Sequence, residues 1–146
     1  MEFDKGLDSA RVALKIGLGL AAFLAGLDKF FDLLANWEAY LSPLVGAVLP
    51  VSAGTFMRVA GVVEMAVGLA ILTRWTRIGS YIAAVWLLAV AVNLLVSGRF
   101  LDVAVRDVEM AIAAYALARL TEVQRSSHFG MMPERAEGPR RVGAAA

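Results

Sequence analysis

The chain has 146 residues, 60% of them hydrophobic, with a mean hydropathy of +0.69, where an average soluble domain is only about 45–50% apolar even with glycine counted. A formal net charge of +1 is too near neutrality for a nucleic-acid surface, and no interleaving of basic and aromatic residues points to one. The absence of cysteine excludes disulfides, thiolate catalysis, iron–sulfur clusters and cysteine-type zinc sites within this chain, so any redox chemistry must be borrowed.

The first apolar segment, residues 12–34, follows a start in which the acids Glu2, Asp4 and Asp8 are mixed with Lys5 and Arg11. A secretory signal has a basic start and a small-residue cleavage site, and here the apolar run continues past Lys29, so the segment reads as a mature helix. Residues 35–54 contain Trp37, Tyr40, Pro43 and Pro50 and read as a short piece lying on a membrane surface. Three further apolar segments follow at 55–73, 78–97 and 101–120, each near the roughly 20 residues that cross about 30 Å of hydrocarbon. The short links between them make neighbouring helices antiparallel. After residue 120 the chain turns polar and ends "PERAEGPRRVGAAA". Residues 1–120 are thus expected to form a transmembrane domain, and residues 121–146 a loosely ordered cytoplasmic tail. His128, in that tail, reads as solvated, and one imidazole there cannot build a two-histidine haem site.

Orientation follows from Lys and Arg, which concentrate in short cytoplasmic segments. The first link has neither, the second carries Arg74 and Arg77 around Trp75, and the tail carries Arg125, Arg135, Arg140 and Arg141. The expected fold is therefore an all-α integral membrane four-helix bundle, multi-pass in the inner membrane, with both termini and the "RWTR" turn cytoplasmic. Trp37, Tyr40 and Trp75 then fall at the two interfaces, and Trp86, midway along the third helix, reads as packing.

At a rise of about 1.5 Å per residue the charges gather in the outer half: Asp28, Lys29, Arg106 and Asp107 lie roughly 8–9 Å inside, Glu109 about 12 Å and Glu64 roughly 13 Å. Asn93 lies about 6 Å below the outer end of the third helix. An unpaired charge at the centre of a transmembrane helix costs about 2.5–3.5 kcal/mol on insertion scales, so these groups are expected to meet. Lys29, Arg58 and Arg106 stand against Asp28, Glu64, Asp107 and Glu109. Residues three, four and seven apart share a helix face. Gly19, Ala22, Gly26 and Lys29 form one such row, Ala60, Glu64 and Gly68 a second, and Arg106, Glu109, Ala113 and Ala116 a third. Small residues mark close helix contact in membranes, which places the charges on packed faces. The alternative for Arg58, Arg106 and Asp107 is an interfacial place near a helix start. Lys15, near the cytoplasmic end of the first helix, reads as an ordinary snorkelling lysine.

"AGLDKFFD", then "WEAYLSP", then "GVVEMAVGLAIL" and finally "VRDVEMAIAAYALARL", in that order over residues 11–120, resemble the DoxX family of small four-helix bacterial membrane proteins. The matching polar positions are Lys29, Glu64, Arg106 and Asp107. Relatives of that family are similar to a subunit of an archaeal thiosulfate:quinone oxidoreductase or are associated with membrane oxidoreductase complexes, so the resemblance implies a quinone-linked or thiol-linked redox partnership. With no cysteine and no haem ligand the chain is not a self-contained redox enzyme; at most it is a subunit of one. Animal relatives act as assembly chaperones, so the fold does not fix the function.

Two roles are expected from this reading. One is a quinone-interacting or anchoring subunit, with Lys29 and Arg106 donating to a quinone headgroup, Glu64 exchanging a proton and Asp107 orienting Arg106, with no covalent cofactor and no metal. The other is a non-enzymatic structural subunit or assembly factor, in which the charges set the register of the bundle. Expected partners are the lipid bilayer and protein subunits or further copies of the chain, and no nucleic acid. A small transporter has little support, since no broken helix or inverted repeat is visible.

Overall fold

A computed structural model describes residues 2–130, with side chains described for residues 5–124. Its helices are α1 (Glu2–Asp28), a single 3-10 turn (Trp37–Tyr40), α2 (Pro43–Val48), α3 (Ala53–Leu72), α4 (Thr76–Ser97) and α5 (Leu101–Gly130), with no strand among the described residues. The all-helical expectation therefore holds.

Two boundaries differ from the sequence reading. α1 stops at Asp28 rather than at residue 34, because Asp28 gathers the backbone that follows it. Its carbonyl accepts from the amides of Phe31 and Asp32, and its carboxylate accepts from the amides of Leu33 and Leu34 at 3.1 and 3.0 Å. Asp32 takes φ 51°, a left-handed conformation that a short acidic side chain tolerates and that ends a helix. At the other boundary α5 runs through residues 121–130, where the tail was expected to begin; the rest of that segment and the side chain of His128 lie outside the described residues.

The remaining ends have ordinary causes. Ser52 caps α3 by accepting from the Thr55 amide at 3.2 Å. Gly98, with φ 64°, closes α4 in the left-handed conformation that glycine adopts without cost. At the α3–α4 turn the Thr76 hydroxyl lies 2.8 Å from the Ile71 carbonyl and 2.9 Å from that of Thr73, covering carbonyls that the end of α3 leaves open.

α1 packs most closely on α3, and α4 on α5, with lighter contact between α3 and α4 and between α1 and α5. The first seam is glycine on glycine. A methyl group built on Gly26 would stand 2.5 Å from the Gly61 carbonyl oxygen, and one on Gly68 would stand 2.7 Å from the Gly19 carbonyl oxygen. Only a residue without Cβ allows backbones so near. In the second seam alanine does the same work: Ala83, Ala84 and Ala91 of α4 and Ala104, Ala111, Ala114 and Ala118 of α5 are all buried. All four long helices meet in one cluster of Leu18, Ile71, Ala83, Ala84, Ala114 and Leu117.

Apart from a few such as Leu18, Ile71, Leu94 and Leu117, large apolar side chains mostly point the other way. Ile16, Leu20 and Leu24 of α1, Val59, Val62 and Leu69 of α3, Val85 and Val92 of α4 and Ile112 of α5 are exposed. Small residues inside and large apolar residues outside is the arrangement expected where lipid, not water, surrounds the helices. Residues Lys5–Asp28, Ala53–Leu72 and Thr76–Ser97 are long and apolar enough to cross a membrane. The fourth expected span is a helix, but Asp102, Arg106, Asp107 and Glu109 crowd its first turns and keep it below the same standard.

The start of α1 shares one end of the molecule with the α3–α4 turn and the last described side chains of α5. Lys15 donates to the Thr73 carbonyl at 2.9 Å, Gln124 donates to Asp8, and Tyr81 donates to Glu122 at 3.1 Å. The opposite end carries Trp37, Tyr40 and α2.

Candidate functional site

The site is assembled at the Trp37 end of the close α1–α3 seam. Lys29 follows immediately after α1, and its stem is carried beside Gly61, whose missing side chain makes room for it. Its ammonium donates to Glu64 Oε2 at 2.6 Å, with 6% and 14% of the two side chains exposed. Side chains in a helix lean toward its N-terminus, and α3 begins at this end, so Glu64 reaches up toward Lys29.

Tryptophan residues complete the pair from two sides. Trp86 of α4 donates its indole N–H to Glu64 Oε1 at 3.0 Å, so each carboxylate oxygen has its own donor. Trp37 places its ring 3.7 Å from Lys29 Nζ, a cation–π contact, and donates its indole N–H to Asp28 Oδ2 at 2.8 Å. The result is an unbroken chain from Asp28 through Trp37, Lys29 and Glu64 to Trp86, joining the end of α1, the 3-10 turn, α3 and α4.

The loop above is tied down separately by Asn93. Its side-chain oxygen accepts from the Ser42 amide at 3.0 Å and its amide group donates to the Tyr40 carbonyl at 2.7 Å. Trp37 meets Tyr40 edge-on at 5.9 Å between ring centroids, and Tyr40 meets Phe100 at 4.6 Å. Residues 37–42 therefore lie over the pair as a fastened cover.

Of the four residues expected to form the site, Lys29 and Glu64 are in direct contact, Asp107 is close and Arg106 is apart. Asp107 shares a face of α5 with Ala104, Ala111, Ala114 and Ala118, is half-buried, and lies within electrostatic reach of Glu64, Lys29 and Arg106. Arg106 is exposed and makes no ion pair among the described residues, and Arg58 and Glu109 are exposed as well. This corrects the expected row of Arg106, Glu109, Ala113 and Ala116: the packed face of α5 is set by its alanines at 104, 111, 114 and 118, whose row is centred nearly half a turn away.

Trp86 and Trp37 are the residues that sequence reasoning missed. Glu64 and Trp86 lie the same number of residues from the Trp37 ends of their antiparallel helices, and this matched depth was the available signal. Trp37 stands nine residues beyond Asp28, and nothing in its spacing announces the contact. No metal-binding group of His, Asp or Glu side chains occurs among the described residues. No protein-family profile, no curated protein and no solved structure matches the chain.

What the arrangement can do chemically is limited and definite. Lys29 and Glu64 hold opposite charges in contact where water is scarce, and each also meets a tryptophan. Such a unit fixes how helices sit on one another, because any displacement strands a buried charge.

Proposed function

We propose that the chain is a multi-pass protein of the inner membrane, with α5 as its fourth span and both termini cytoplasmic, serving as the anchoring subunit of a membrane oxidoreductase complex in the manner of DoxX-like proteins. The redox setting comes from the motif resemblance. The choice of an anchoring role rests on one observation: both oxygens of Glu64 are already engaged, one by Lys29 and one by Trp86. A proton-exchanging carboxylate needs an oxygen that a substrate can approach, whereas a register lock is best when both oxygens are held by protein donors.

A quinone-interacting role is the second reading, and Asp107 favours it. It is a half-buried acid beside the Lys29–Glu64 pair, with no hydrogen bond among the described residues, so it could meet a quinone carbonyl when protonated.

Purification of the full chain from its own membranes decides between them. An anchoring subunit co-purifies with redox-active partner chains, and Glu64→Gln and Asp107→Asn leave the quinone reductase rate of that complex within about twofold. Loss of rate in Asp107→Asn with the complex intact would select the quinone role. Isolation without any redox-active partner would refute both and leave the assembly-factor alternative.

A further inference from the structure

The end of the molecule away from Lys29 carries a second cluster of charge, which the role above does not use. Arg74, Trp75, Arg77 and Ile78 line a concavity at the α3–α4 turn. Arg74 is exposed and makes no ion pair among the described residues. Among the described residues Arg77 pairs with Glu122 at 4.0 Å, and that carboxylate is held more closely by Arg119 at 2.7 Å and by the Tyr81 hydroxyl at 3.1 Å. Lys15 adds a third cation, its ammonium resting on the Thr73 carbonyl, one residue before Arg74. Three cations thus surround one turn, and the one acid paired with any of them among the described residues, Glu122, is already engaged.

The setting of this cluster decides what would neutralise it. α3 and α4 are both candidate membrane spans, and both end here, so the turn falls where lipid headgroups lie. Trp75 is 54% exposed and Ile78 is 48% exposed, an amphipathic ring and an apolar floor directly beside the two guanidinium groups. Tryptophan favours the headgroup level, and guanidinium binds phosphate through paired N–H donors. A phosphate that also carries acyl chains would use every part of this surface, whereas a free phosphate would use only the cations.

We propose that the turn from Arg74 to Arg77, with Lys15, is a binding site for the headgroup phosphate of an anionic phospholipid, whose first acyl carbons lie on Trp75 and Ile78. The site stands independently of the redox role and holds for any function the bundle serves.

The test is native mass spectrometry, with bound lipid counted, of the full chain transferred into nanodiscs of phosphatidylglycerol, of phosphatidylcholine, or of the two mixed equally. Each cation near an anionic membrane surface contributes about 1 kcal/mol, which corresponds to roughly fivefold in affinity. The wild type should retain phosphatidylglycerol over phosphatidylcholine, and Arg74→Gln with Arg77→Gln should lower that preference roughly thirtyfold. Arg74→Lys with Arg77→Lys should keep most of it, and Arg58→Gln, at the opposite end, should leave it unchanged. Melting curves in the same nanodiscs check that the variants remain folded; a double Gln variant that melts early is replaced by the two single variants, each expected to lose about fivefold. Equal retention of both lipids, undiminished preference in the Gln variants, or an equal loss in Arg58→Gln would overturn the proposal. Displacement of the lipid by millimolar inorganic phosphate would also overturn it, by assigning the turn to a free anion.

Discussion

Replacing Lys29 by Met removes the ammonium while keeping most of the stem, so the charge is tested with little change in packing. Glu64, 14% exposed, then keeps only the Trp86 N–H at 3.0 Å and faces an empty place where Nζ stood at 2.6 Å. Breaking a buried pair from one side costs about 3–5 kcal/mol, because the remaining charge is left uncompensated. The lost contact with the Trp37 ring is one part of that cost, about 2 kcal/mol for a desolvated cation–π pair. Ordinary hydrogen bonds between membrane helices average only about 0.6 kcal/mol, so a result in the expected range identifies a charge effect rather than one lost hydrogen bond. Lys29→Met combined with Glu64→Leu should cost less than either single change, since no charge is stranded and only the Trp86 N–H loses its partner. SDS-induced unfolding of the detergent-solubilised protein, followed by tryptophan fluorescence, measures all three variants, and Trp37 and Trp86 report from inside the network. A single-variant cost below about 1 kcal/mol, or a double variant as costly as the two singles added, would refute the reasoning.

Gly26→Ala should destabilise the protein by about 1–3 kcal/mol, because its methyl group would stand 2.5 Å from the Gly61 carbonyl oxygen, whereas Gly17→Ala, with nothing within 4 Å, should be neutral or stabilise by up to about 1 kcal/mol in the same unfolding assay. Asn93→Leu should cost about 1–3 kcal/mol by orphaning the Ser42 amide and the Tyr40 carbonyl, and hydrogen exchange should quicken in residues 37–42 before it quickens in α3. Reporter fusions should place Pro43 outside and Gly143 in the cytoplasm; a cytoplasmic Pro43 would reverse the proposed orientation.

Helix content and the outline of the site were legible because they depend on local spacing. The row Gly19, Ala22, Gly26 and Lys29 announced the face that α1 buries, and the depth of Glu64 announced that it needed a partner. The place of Arg106 was not legible. Arg106 and Asp107 are adjacent in sequence and so about 100° apart around the helix, and spacing alone lets either be the inward residue. The alanines at 104, 111, 114 and 118 decide for Asp107, but their weight appears only when they are read as the contact with α4. The end of α1 was hidden for a different reason: Phe30, Phe31, Leu33 and Leu34 look like further helix, and the turn is made by the Asp28 carboxylate reaching forward to amides five and six residues on. Hydropathy does not register such a contact.

The glycine seam and the ion pair specify the same alignment, which is why a membrane chain can keep the pair. Gly19 and Gly26 stand seven residues apart, as do Gly61 and Gly68, and the antiparallel helices set Gly26 against Gly61 and Gly19 against Gly68. A slip of one turn, about 5.4 Å, would drive the Cβ atoms of neighbouring residues into the facing backbone. The same slip would carry Lys29 out of reach of Glu64 and leave two buried charges alone. Close packing therefore penalises wrong registers sterically, and the pair penalises them electrostatically. Lipid-facing leucine and valine residues cannot make that distinction, since in a bilayer every register leaves them equally content. The charges at the head of an otherwise apolar bundle are thus placed where small residues already demand one fit, and Asp107, on the α5 face that packs against α4, brings the second helix pair into the same field.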